Sequence, residues 1–126
     1  MDFQTRKNQL ITEIKTVAER RAEKALADPD DPRLVKSQTA LFDLAEKIEA
    51  LPDEDPELNG LFKEENELAN IMRAAPGEPE KRYHDSTEDL LEAYGIEHET
   101  FDNPRQFIEV LRNMVDETIA EYRLRA

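Results

Sequence analysis

Leu51-Pro52-Asp53-Glu54-Asp55-Pro56-Glu57-Leu58 holds the chemistry of one helix ending and another beginning. Pro52 cannot extend a helix, since it lacks the amide hydrogen and clashes with the preceding turn. Asp55 ahead of Pro56 is a helix start: the carboxylate accepts from an amide that would otherwise lack a partner. Proline at the first helical position loses no bond, because its amide would be unpaired there in any case. Asp31-Pro32 and Asn103-Pro104 repeat the pattern, so three helix starts are marked by one device.

Working outward from these corners, apolar residues recur at helical spacing. Phe3, Leu10, Ile14, Val17, Ala18 and Ala25 form one face over about 3–27. Leu34, Leu41, Leu44, Ala45, Ile48 and Leu51 do so over about 32–51, and Leu58, Leu61, Phe62, Leu68, Ala69 and Met72 over about 56–75. Phe107, Val110, Leu111, Met114, Val115, Ile119 and Tyr122 cover a broad arc over about 104–123, as the most central helix of a bundle would. Strand signals are nearly absent, whereas Ala, Leu, Glu, Lys and Arg, the residues that lose least on entering a helix, are abundant. The reading is an all-α, single-domain bundle of 126 residues, four longer helices and one short, with antiparallel neighbours set by short corners.

The short helix is assigned to about 86–95. In Arg82-Tyr83-His84-Asp85-Ser86-Thr87-Glu88-Asp89, a histidine, an aspartate and a serine stand together as the residue types of a nucleophilic triad. The same letters have capping-box spacing, Asp85 or Ser86 followed three residues on by Glu88 or Asp89. Gly95, between Leu91 and Ile96, completes the helix as a left-handed terminator. A cap accounts for the whole segment, and the triad is set aside.

Composition excludes several chemistries. With no cysteine, disulfides, thiolate metal sites and thiol nucleophiles are ruled out. Three isolated glycines cannot form a phosphate cradle, and the two histidines, His84 and His98, follow no glutamate at the spacing of a di-iron bundle. No cofactor and no metal are expected. No apolar run approaches the roughly 20 residues that span a bilayer, and the first residues lack a signal-peptide core, which predicts a cytoplasmic protein without a membrane association.

The net charge of −13 argues against direct nucleic-acid binding, because an acidic chain repels phosphates. The excess is local: residues 52–103 carry 16 acids against 4 bases, while the flanking segments are nearly balanced. The reading is a non-enzymatic interaction module whose acidic face engages a basic protein partner, as inhibitor, adaptor or nucleic-acid mimic. Its contact residues are Asp53, Glu54, Asp55, Glu57, Glu64, Glu67, Glu88, Asp89 and Glu92. Two charges interrupt the apolar stripes, Arg21 in the first helix and Glu65 in the third, and they are expected to form an inward ion pair. Two alternatives stand beside this reading. One is a magnesium- or manganese-dependent hydrolase: Glu88-Asp89-x-x-Glu92 resembles the first metal-holding element of the all-helical nucleotide pyrophosphohydrolases, although no predicted helix carries their completing Glu-x-x-Asp. The other is a structural homo-oligomer.

Overall fold

The computed structural model describes residues 2–94 and 104–125. They form five helices and, among these residues, no strand: α1 (Phe3–Ala27), α2 (Pro32–Glu49), α3 (Pro56–Ala74), α4 (Glu78–Tyr94) and α5 (Pro104–Arg125). None is long and apolar enough to cross a membrane. Asp31 caps α2 through the Arg33 amide at 3.0 Å, and Asp55 caps α3 through the Leu58 amide at 3.3 Å, each followed by a proline in the first turn. Asp2 does the same for α1, accepting from Thr5 at 2.7 Å. Asn103 and Gly95 lie outside the described residues.

The apolar stripes meet in one core. Ile14 and Ala18 of α1, Leu41, Leu44 and Ile48 of α2, Leu58 and Leu61 of α3, Leu91 of α4 and Phe107, Ile108 and Val115 of α5 are buried together. α1 and α2 form an antiparallel hairpin, and α5 packs on α2, α3 and α4. The end of that hairpin is pinned by Lys7, itself only 3% exposed, whose Nζ donates to the carbonyls of Glu49 at 3.1 Å and Leu51 at 2.7 Å.

Two expectations need correction. Helix four begins at Glu78, eight residues before the predicted start, and at 17 residues it is still the shortest of the five. Pro79 sits in its first turn, where the missing amide costs nothing, and Glu78 and Glu80 complement the positive end of the helix dipole. Asp85 and Ser86 are therefore mid-helix and are not a cap. α3 and α5, which no short corner joins, are a further packed pair. Arg105 pairs with Asp55, Arg112 with Glu64 and Arg123 with Glu67, in the same order along both helices, so α3 and α5 run parallel. α4 is the return helix that makes this possible; it runs antiparallel to α5, with Arg82 bonded to Glu121 at 2.8 Å. Finally, α3 meets α1 near the start of α1, where Phe3 and Phe62 have ring centroids 5.6 Å apart.

Candidate functional site

That crossing decides what Glu65 touches. Its partner is Arg6, and the expected Arg21 pairing is corrected: Arg6 Nη2 donates to Glu65 Oε2 at 2.8 Å and Nε to Oε1 at 3.2 Å. Arg21 lies 15 residues further along α1, about 22 Å at the helical rise. Each side chain of the Arg6–Glu65 pair is 18% exposed. A third donor reaches the same carboxylate from α4, the Tyr83 hydroxyl at 3.2 Å from Oε2. Arg6 also reaches Glu13 at 3.4 Å and lies over the Phe62 ring, 5.4 Å from its centroid. Burial, together with the Glu65 charge and its hydrogen bond, pushes the Tyr83 hydroxyl strongly upward, so it stays protonated and donates. Burial would lower the Arg6 guanidinium, but the bond and charge of Glu65 outweigh this and raise it.

The junction separates two clefts. One, of about 600 Å³, runs between α1 and α3 over Phe3, Phe62 and Met72, with Lys63 and Arg73 among its lining residues. The other, of about 410 Å³, lies between α1 and α4 beside Leu10, Glu13, Thr16 and Leu91. Arg6, Glu65, Tyr83 and His84 line both. Glu65 already accepts from three donors and Arg6 already serves two carboxylates, so these paired groups order three helices. His84 and Asp85 are exposed on α4, on a helical backbone that runs through 84–86.

The acidic face predicted on α3 is largely spent inside the molecule. Asp55 is 2% exposed and bonded to Arg105 at 3.0 Å; Glu57 is bonded to the same guanidinium at 2.8 Å. Glu64 is bonded to Arg112 at 2.9 Å and Glu67 to Arg123 at 2.8 Å. Burial by itself would raise the Asp55 carboxyl, but the Arg105 bond and the Leu58 amide overcome it and hold it below the ordinary aspartate range. Gly60 provides the room for Arg112, since a β-carbon there would stand 2.9 Å from its Nη1. The carboxylates of α3 are thus half of an ion-pair ladder to α5, and their clustering does not require an outside partner.

The remaining predicted contacts are placed differently. Asp53 and Glu54 are exposed at the α2–α3 corner, with Glu54 accepting from Asn59 at 2.8 Å. Asp89 is exposed on α4. The side chains of Glu88 and Glu92 fall outside the description, as does Glu99-x-x-Asp102, the one Glu-x-x-Asp in the chain. Among the described residues, no group of three or more His, Asp or Glu side chains is arranged to hold a metal ion.

Sequence reasoning missed Arg6, Lys7 and Tyr83. A signal for the first two was present: the α1 stripe steps from Phe3 to Leu10, and positions 6 and 7, which should be apolar, are both cationic. The chain matches no family model, no curated protein and no solved structure.

Proposed function

We propose that this protein is a non-enzymatic binding module that engages a basic protein partner through α4 and the α2–α3 corner. The observation that carries the reading is the division of the acidic charge. Arginines of α1 and α5 take up Asp55, Glu57, Glu64, Glu65 and Glu67. Asp53 and Glu54 at the corner and Asp85 and Asp89 on α4 stay exposed, and Glu88 and Glu92 belong to the same helix. Exposed carboxylates on a rigid helix attract a basic surface over a Debye length, about 8 Å at physiological ionic strength, and raise the rate of encounter. The apolar interior and the saturated Arg6–Glu65–Tyr83 junction give that helix a fixed seat.

Capture of a partner from native extract at low salt, followed by association kinetics with the purified partner, tests the reading. Replacing Asp85 and Asp89 with Asn should slow association about tenfold or more, with a steep salt dependence in the parent. A rate indifferent to both the substitutions and salt rejects it. A second reading, self-association, is favoured by Leu26 and Leu124, which are 85% and 88% exposed; a monomeric mass in solution at high micromolar concentration rejects that one.

A further inference from the structure

Where α3 runs beside α5, Glu64 has one oxygen bonded to Arg112 at 2.9 Å, while its other oxygen, Oε2, is sealed from water and accepts from no group as an ordinary ionised set of side chains would supply it. A buried carboxylate oxygen without a donor is costly, by more than an ordinary hydrogen bond is worth. The side chain within bonding reach is another carboxyl, that of Asp116, one turn beyond Arg112 on α5. Two ionised carboxylates repel at that distance. One protonated carboxyl facing one carboxylate supplies the missing donor.

We propose that Glu64 and Asp116 share one proton across the α3/α5 contact, so that mild acidification tightens this junction. Asp116 is the exposed member and holds the proton; Glu64, with Arg112 on its far oxygen, remains the carboxylate. The Glu64 bond, then desolvation and the Glu64 charge, push the Asp116 carboxyl up to about 6, while Arg112 opposes and Glu67 assists. Glu67 is itself bonded to Arg123, and on the α4 side of α5 Arg82 is bonded to Glu121. The sign is the reverse of the usual carboxylate. A folded-state value above that of the unfolded chain gives a contribution fully present below about pH 4 and lost as pH rises through about 6.

The test combines carboxyl-carbon NMR titration of the intact chain with urea unfolding from pH 5 to 8, for the parent, Asp116→Asn and Glu64→Gln. The Asp116 carbon should titrate near pH 6 in the parent and return toward 4 in Glu64→Gln, whose amide donates without a shared proton. The unfolding constant of the parent, relative to Asp116→Asn, should rise several-fold between pH 5 and 8; this is well below the full linkage because Asp116 is solvent-exposed. A midpoint near 4 in the parent, or a parent-to-variant ratio that is flat with pH, overturns the proposal. So does stabilisation of the parent, and not of Asp116→Asn, by millimolar magnesium or calcium at pH 7.5, which would make the pair a cation site.

Discussion

Lys7→Met isolates the fastening that holds the start of α1 to the end of α2. Methionine keeps the length of the stem, so packing against Phe3 and its neighbours is nearly preserved and the ammonium alone is removed. What is lost is specific: bonds of 3.1 and 2.7 Å to the Glu49 and Leu51 carbonyls, at the terminus where the α2 dipole is negative. A cation at a partly buried helix C-terminus contributes up to about 2 kcal/mol, and a buried acceptor left without its donor costs about 1–3 kcal/mol. The ring of Phe3, 6.0 Å from Nζ, is at the outer limit of cation–π contact and adds little. Against these stands the desolvation of the ammonium, which Met does not suffer. Because the carbonyls sit at a corner, water takes over part of the lost bonding, and the expected net loss is about 1–3 kcal/mol. Urea unfolding followed by far-ultraviolet circular dichroism measures it; the midpoint should fall with the slope unchanged. If Lys7→Met is neutral or stabilising, the ammonium is a buried liability and the fastening argument is wrong.

Asp55→Asn keeps a cap and loses the charge facing Arg105, and Asp55→Ala loses both, so stability should fall in that order, with Ala below the parent by about 1–3 kcal/mol in thermal or urea unfolding. Because the folded carboxyl is held low, its contribution is present above about pH 4 and disappears as pH falls below it, so the Asn deficit should shrink between pH 5 and 3. A double-mutant cycle on Arg6→Met and Glu65→Gln should give a coupling of about 1–3 kcal/mol, while the cycle pairing Arg21 with Glu65 should stay within about 0.5 kcal/mol; equal couplings would contradict the observed register. Glu54 holds a φ of 59°, where glycine is at ease, so Glu54→Gly should be neutral or stabilising by up to about 1 kcal/mol despite losing the Asn59 bond, and Glu54→Val should destabilise.

The legible parts of this fold are those that local chemistry determines. Helix starts at Pro32, Pro56 and Pro104 were readable because an aspartate or asparagine stands immediately before each proline, and proline is tolerated in a first turn and almost nowhere else in a helix. Pro79 carries the same meaning with Glu78 in front of it, but the competing capping box at Asp85–Ser86 puts the start eight residues too late. A capping box is made of short polar residues that are equally at home on a solvated helix surface, so its letters do not exclude a helix already running. The ion pair of Glu65 failed for a different reason. Angular projection says which side of a helix a residue occupies and nothing about the angle at which two helices cross, and both Arg6 and Arg21 project inward on α1. Only the contact of α3 with the start of α1, with Phe62 against Phe3, selects Arg6.

Charge was the hardest feature to interpret from sequence, and the parallel α3/α5 pair explains why. Counting by segment makes 52–103 an acidic block and 104–126 a neutral one, yet the partners of Asp55, Glu64 and Glu67 lie about fifty residues away, in the second segment. Segment counts cannot see a ladder whose rungs cross so long a span, and a parallel arrangement needs the α4 return before any rung can form. The same geometry ranks the acids by what their loss would do. Neutralising Glu57 or Glu67 removes one rung at the surface, where pairs contribute little. Neutralising Glu64 frees Arg112 from the groove over Gly60 and removes the partner of the Asp116 proton, while neutralising Asp89 breaks no bond described in the fold. Among the described acids, Asp55 and Glu64, whose loss costs stability, therefore lie at the start of α3 and along it, while Asp85 and Asp89, exposed and in no bond described in the fold, lie on α4. A surface that can be altered without disturbing the scaffold is where a recognition role can be tested cleanly.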